Sequence, residues 1–519
     1  MASLGKVAFA VPFSQSVSQS VGADWRFSRR CLPASSYVCI LYTHNDRPSV
    51  SSRPGSPVSS ESSHDLVVIG SGPAGQKAAL TAAKLGKTVA LIDRREVVGG
   101  VCLHTGTIPS KTLRESVLYF TGHLLHSVYG ESYRPKDRIG VDDLNFRVQH
   151  VIRRELDTIS DQMRRNGVEM VFGKGRFENP HRIEVLTAEG GSRILQGGSI
   201  IVAPGTVPAR PSDIPFTEGR IFDSDGILRL ENIPRSMTVV GAGVIGSEYA
   251  SIYATLGVEV TIIDGRERIL EFADREIIDE LVHQLRTEDT VFRLGEKVSS
   301  ISLDNDRVVT QMESGKRVVS ETLLYSVGRQ GATADMGLQA AGLQADSRGR
   351  LSVDAQFRTT VPHIFAVGDV IGFPSLASTS MEQGRQAACY ALEVPVATFS
   401  GILPYGIYTI PEMSMVGKTE QTLTEERVPY ETGVARYAEL AKAQMLGDDK
   451  GMLKLLFHRD TRALLGVHII GARATELIHV GQAVLAFEGT IDYFIETVFN
   501  YPTLAEAYKV AAYDGINKL

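Results

Sequence analysis

Asp65-Leu66-Val67-Val68-Ile69-Gly70-Ser71-Gly72-Pro73-Ala74-Gly75 is the stretch on which the fold turns. The apolar run before Gly70 reads as a short strand buried on both faces. Three glycines in a G-x-G-x-x-G spacing follow at once. The first allows a tight turn, the second lets backbone approach a pyrophosphate, and the third lets helix and strand pack closely. A helix is expected over Gln76 to Leu85, closed by Gly86, and a second strand over Thr88 to Ile92, ending at Asp93. An acid about twenty residues after the glycines suits a ribose hydroxyl. A lone glycine pattern is weak evidence, but strand, turn, helix and acid in this order are the context it needs.

The unit recurs far downstream. Met237 to Val240 is a strand, Gly241-Ala242-Gly243-Val244-Ile245-Gly246 the turn, Ser247 to Leu256 a helix, and Val258 to Ile263 a strand ending at Asp264. Two such units point to two dinucleotides, each pyrophosphate resting on the free N–H groups of a helix N-terminus. Asp264 suits the 2′-hydroxyl of NAD(H), and Arg266 and Arg268 just after it suit the 2′-phosphate of NADP(H). The plainer reading of those arginines is a solvated, paired face. Ser199 to Val202 is a strand running into Ala203-Pro204-Gly205, and His363 to Val367 another, reaching Gly368-Asp369. From about Tyr405, alternating apolar runs point to an α+β domain.

The chain has 519 residues, room for three or four domains, and a formal charge of -6, which argues against a nucleic-acid partner. No apolar run is long enough to cross a membrane. Four cysteines, Cys31, Cys39, Cys102 and Cys389, fit a reducing compartment without a disulfide framework. No metal-ligand set is expected. The first sixty-odd residues are serine-rich and carry Arg26, Arg29, Arg30, Arg47 and Arg53 with few acids. That is the composition of an organelle transit peptide, read against a plain disordered tail. An organelle matrix, mitochondrial ahead of plastid, is therefore expected. Without a transit peptide the protein would be cytoplasmic.

Gly99-Gly100-Val101-Cys102-Leu103-His104-Thr105-Gly106-Thr107-Ile108-Pro109-Ser110-Lys111 follows the first unit. Here the chain resembles the pyridine nucleotide–disulfide oxidoreductase family, in order, over about residues 64 to 519. The resemblance implies that Gly70, Gly72, Gly75, Asp93, Gly100, Gly205, Gly368, Asp369 and Ala377 hold FAD. It implies that Gly241, Gly243, Gly246, Gly328 and Arg329 hold the nicotinamide coenzyme, and that Lys111 and Glu248 pair beside the flavin. An ordinary surface lysine is the alternative for Lys111.

The departures are informative. Disulfide reductases of the family carry a second cysteine five positions after the first, where Thr107 stands here. They also carry a His-Pro-x-x-x-Glu segment whose histidine shuttles the proton for the thiols. Here it reads Tyr501-Pro502-Thr503-Leu504-Ala505-Glu506, and a phenol is a poor base near neutral pH. Both changes resemble the soluble, Si-specific transhydrogenases of the family, as do Tyr408-Thr409-Ile410-Pro411-Glu412 and Gly372 to Ser378. Cys102, Lys111, Glu248, Tyr501 and Glu506 are the catalytic candidates. The expected reaction is ping-pong hydride transfer between NADPH and NAD+ through FAD. The rivals are a dihydrolipoamide dehydrogenase-like reductase, an NADH oxidase or diaphorase, and a non-catalytic FAD scaffold.

The fold expected is α/β: two Rossmann-like nucleotide domains and a C-terminal α+β dimerisation domain. The FAD domain is assembled from 64–210 and 345–400, the NAD(P) domain is 211–344, the dimerisation domain 401–519, and 1–63 is transit peptide or tail. A homodimer is the smallest expected assembly.

Overall fold

The computed structural model describes residues 60–519 apart from 133–135, 137 and 398–400. The segment expected as transit peptide or tail lies outside the described residues as far as residue 59. The first strand runs Ser60–Ile69, so residues 60 to 63 belong to the sheet and not to the tail. Ser60 pairs with Arg193 and Ile69 with Val202. The first helix is Pro73–Lys84, beginning inside the glycine turn. Pro73 permits this, because proline's fixed φ suits the first helical position and its missing N–H is not needed there.

Val89–Asp93 pairs in parallel with the first strand, and every one of its residues is buried. Each fully buried aliphatic side chain there contributes roughly 1.5 to 3 kcal/mol relative to exposure. Glu169–Phe172 continues the sheet on one side and Ser192–Val202 on the other. The far edge of Ser192–Val202 is shared: Ile200–Val202 pairs with Ile364–Ala366, and the earlier part with the hairpin strand Arg182–Leu186. A strand from beyond the second unit thus completes the first sheet. It brings the carboxyl ends of five parallel strands to one edge, where nucleotides bind in such sheets.

Ser236–Val240 is the centre of the second parallel sheet, between Glu259–Asp264 and Thr322–Tyr325, with Val291–Leu294 and Ile221–Asp223 at the edges. The chain crosses between the two sheets through an antiparallel ribbon of Thr206–Pro208 and Arg329–Gly331. Met336, Leu338, Ala341 and Leu343 already pack in the core of the first sheet with Val67 and Ile92. The return therefore comes ahead of the expected boundary at 344/345, because these apolar residues are covered only there.

The last part is a five-stranded antiparallel sheet, in the order Tyr405–Ile407, Met413–Gly417, Leu464–Ile470, Met452–His458, Tyr430–Arg436. The helices Ala474–Ala486 and Glu506–Ile516 pack against it. Lys454 of that sheet is fully buried and joins it to the second domain. Its ammonium lies 3.0 Å from Asp274, 3.1 Å from Glu276 and 2.5 Å from Glu420. Asp274 also caps the helix Arg275–Thr287 by accepting from the Glu276 N–H. Removing the cation leaves Asp274 buried and uncompensated. Lys454→Met is expected to destabilise the protein by about 3 to 5 kcal/mol. Urea unfolding followed by circular dichroism checks this, and an unchanged midpoint would show that the cluster holds nothing together.

Candidate functional site

The two glycine turns are built alike. A Cβ on Gly75 would fall 1.8 Å from the Gly70 carbonyl oxygen, and one on Gly246 would fall 1.9 Å from that of Gly241. Gly70 has φ +105°, and a Cβ there would meet Ala203 O at 2.2 Å. The outer glycines therefore serve close packing. The middle ones differ: Gly72 and Gly243 have no protein atom within 4 Å of a built Cβ. Each also precedes a helix with no side-chain cap at its N-terminus. Open space faced by unfilled N–H groups is the cradle a pyrophosphate requires. The residues present fit FAD in the first unit and a nicotinamide dinucleotide in the second.

The first cavity, about 410 Å³, is lined by Gly70, Gly72, Asp93, Gly100, Cys102, Gly205, Gly368, Asp369 and Ala377. Asp93 is held by Ser71, whose N–H and hydroxyl donate at 2.9 and 2.5 Å, and by the Arg95 N–H at 2.9 Å. Burial pushes the Asp369 carboxyl above its ordinary range, against the charge of Arg329 and hydrogen bonds to Thr206 and Ser380. Gly75 stays behind the cavity wall, in keeping with its packing role.

The second cavity, about 1210 Å³, is lined by Lys111, Gly241, Gly243, Glu248, Asp264, Arg266, Gly328 and Arg329. The two cavities share Val101, Thr107, Gln330, Asp369, Ser375 and Ala377 as walls, so they meet there. The helix Ala377–Ala391 starts at this junction, and Leu376 gives it no side-chain cap. Beside the junction the Lys111 ammonium lies 2.5 Å from Glu248 Oε2, and Glu248 Oε1 accepts from the Tyr408 N–H at 2.9 Å. Lys111 also stands 5.0 Å above the Tyr408 ring. The first, second and third domains each supply one member of this group, so Lys111 is no ordinary surface lysine.

Cys102 lies against Thr107, which hydrogen-bonds its sulfur, and burial pushes the thiol above its ordinary value. The other described cysteine, Cys389, is free and buried in the helix Ala377–Ala391. Among the described residues, then, Cys102 has no cysteine partner.

The remaining expected residues stand as follows in the single chain. Arg268 lines neither cavity and is paired with Asp279 at 3.1 Å. Gly246 does not line the second cavity, because it packs against Gly241. Arg329 does line it, but its guanidinium donates to Thr206, Ser224 and Asp225, latching the ribbon between the domains. Tyr501 is 70% exposed, and neither it nor Glu506 lines a cavity. Their segment is anchored to the third domain, where Tyr508 stacks on Phe494 at 4.9 Å. Lys297 and Tyr408 line the second cavity and were not singled out from sequence. Tyr408 lay within a quoted motif, but for Lys297 no local pattern exists.

This is the architecture and site of a two-nucleotide flavoprotein oxidoreductase. The chain belongs to the pyridine nucleotide-disulphide oxidoreductase family: the family's profile matches residues 64–384, and that of its dimerisation domain residues 403–512. It is an oxidoreductase with FAD and NAD(P)H as cofactors. It is 53% identical over 460 residues to the soluble pyridine nucleotide transhydrogenase of Mycobacterium tuberculosis (strain ATCC 25177 / H37Ra), covering 88% of this chain and 98% of that one. The protein of the same name from Hahella chejuensis is 45% identical over 459 residues, covering 88% and 99%. Among solved structures, LpdA from Mycobacterium tuberculosis has a TM-score of 0.80 at 26% identity, covering 88% and 99%. The HOCl-induced flavoprotein disulfide reductase RclA from Escherichia coli has a TM-score of 0.78 at 26% identity, covering 86% and 99%. The bacterial origin of these relatives, named soluble, overturns the expected organelle matrix and points to a cytoplasmic protein. Among the described residues no helix is long and apolar enough to cross a membrane.

The cradle gives a clean test. Gly72 and Gly243 have φ of -66° and -78°, open to any residue, and free space around a Cβ. Gly72→Val is expected to fold yet lose bound FAD, read from the flavin absorbance of the purified protein. Gly243→Val is expected to keep FAD and lose at least about tenfold in affinity for both nicotinamide coenzymes, one lost charge-assisted contact being worth that much. Retention of FAD by Gly72→Val would place the pyrophosphate elsewhere.

Proposed function

We propose that this protein transfers hydride between NADPH and NAD+, in either direction, with resident FAD and no redox disulfide. The observation that carries the reading is Thr107 against Cys102 at the junction of the two cavities. A threonine hydroxyl neither forms a disulfide nor takes up an electron pair, which leaves a second coenzyme as the natural acceptor. The relatives named soluble pyridine nucleotide transhydrogenase support it.

When bound, FAD supplies a two-electron relay between the coenzymes. The protein's part is positioning and electrostatics. Gly72 and Gly243 leave room for the two pyrophosphates, and Asp369 offers a hydrogen-bonding group to the ribitol chain. Lys111 and Glu248 neutralise each other, so the wall beside the junction is polar, fixed and without net charge. The unfilled N–H groups at the start of Ala377–Ala391 favour negative charge at the junction. Pairing of two chains through the dimerisation domain is part of the reading. Exposed Phe487, Val498 and Tyr501 in that domain support it.

Stopped-flow mixing of the FAD-loaded protein with NADPH and then NAD+ tests the reaction directly. Exchange is expected, with dihydrolipoamide and glutathione disulfide turned over negligibly. Because burial disfavours the Cys102 thiolate, which is the reactive form, Cys102→Ser is expected to keep most of the exchange. Loss of exchange in that variant with FAD still bound would mean that the sulfur takes part, and turnover of either disulfide-type substrate at comparable rates would overturn the reading.

A further inference from the structure

A single site serving both NAD(H) and NADP(H), as the proposed function requires, must accept a neutral ribose hydroxyl and a charged phosphate in the same place. We propose that Arg266 decides between them by its seat on Asp264. Seated, it builds a 2′-phosphate site together with Lys297; displaced, it frees Asp264 for the ribose hydroxyl of NAD(H).

The hydrogen-bond count is the basis. A carboxylate offers about four lone-pair sites. On Asp264 each oxygen is taken twice: Oδ1 by the Arg266 backbone N–H at 2.8 Å and Nε at 2.9 Å, Oδ2 by the Ala242 N–H at 2.6 Å and Arg266 Nη2 at 2.6 Å. A hydroxyl arriving as a donor finds no vacant acceptor. Two of the four donors are backbone groups fixed by the turn. The other two belong to a side chain that is 43% exposed, against 8% for Asp264, so Arg266 is the part that moves.

The seated arginine is already arranged for an anion. A guanidinium has five N–H donors in a rigid fork, and two are used on Asp264. Three remain for phosphate oxygens while the grip on Asp264 cancels the carboxylate that would otherwise repel them. A second cation stands beside it. Gly295 N donates to Arg266 O at 2.9 Å and Glu296 N to Asp264 O at 3.1 Å, tying the two loops together. Lys297 Cγ lies 3.3 Å from a Cβ built on Gly265, so its stem runs over the residue between Asp264 and Arg266. Lys297 is exposed, lines the same cavity and makes no ion pair among the described residues. The neighbouring Glu296 is answered by Lys316 at 2.7 Å. Arg268, held by Asp279, is not part of the site.

The two coenzymes should therefore respond to Arg266 with opposite signs. When the competent state is only fractionally populated, apparent affinity falls by that fraction, and removing the competitor restores it. The test is calorimetric titration of FAD-loaded protein with NAD+ and, separately, NADP+, with no turnover involved. Arg266→Ala is expected to weaken NADP+ by at least about tenfold and to tighten NAD+ severalfold. Lys297→Ala is expected to weaken NADP+ severalfold and leave NAD+ within about twofold, the loss shrinking as salt is raised. Asp264→Asn is expected to weaken NAD+, whose ribose hydroxyl loses its charged acceptor. If Arg266→Ala releases FAD or fails to fold, Arg266→Lys carries the same test, because an ammonium cannot grip both oxygens: NAD+ should again tighten. Equal weakening of both coenzymes, or NADP+ loss with NAD+ unchanged, overturns the gate. Because these are binding constants, they stand or fall separately from hydride exchange: a gate seen in a protein that exchanges no hydride would sink the proposed function alone.

Discussion

Lys111 and Glu248 are 137 residues apart in sequence and 2.5 Å apart in space. Glu248 is 5% exposed, and a buried carboxylate without a partner is costly, so the pair forms only when both nucleotide domains are in place. Its second oxygen is satisfied by the Tyr408 N–H, which belongs to the third domain. Residues of all three domains are thereby fixed around one point, above one continuous apolar core to which Leu113, Ile252 and Ile410 belong. The junction of the two cavities lies beside it, which is how the cavities of two separate sheets come to share a wall. Lys454, gripped by Asp274 and Glu276 of the second domain and Glu420 of the third, holds the same arrangement from further out.

The glycine turns show how far local chemistry reaches. Each outer glycine is required because a Cβ would overlap a backbone oxygen, whereas each middle glycine faces open space. These are demands of a few consecutive residues, so they are visible in the sequence as a spacing. The strands that feed the turns are continuous apolar runs because both faces of a parallel sheet are covered. Their boundaries moved by a few residues, most at Ser60–Ile69, where polar Ser60 to His64 extend the strand by pairing with Arg193 to Gly197 and give no apolar signal.

The side chains that point into the cavities were read less evenly. Asp264 and Arg266 stand where the second unit places them, but two residues further on Arg268 turns to Asp279. Nothing in the local sequence separates the two arginines, because the difference lies in which carboxylate each meets across space. Tyr501 and Glu506 were drawn to the site by resemblance to a segment, and in a single chain they lie outside both cavities. Lys297 entered only because the strand Val291–Leu294 runs beside Glu259–Asp264 and delivers the following loop to the cavity rim.

The sequence by itself determined the two dinucleotide units, the order of the domains and the replacement of the second cysteine by Thr107, since each of these is written in neighbouring residues and fixed spacings. Tertiary structure alone decided which charged groups face the cavities and which are taken up elsewhere. It seated Arg266 on Asp264, spent Arg329 on Thr206, Ser224 and Asp225, and set Lys297 over Gly265. The reason is physical: a backbone turn answers to its own few residues, whereas the place of a long charged side chain is set by the neighbours around it, and those are supplied by other parts of the chain.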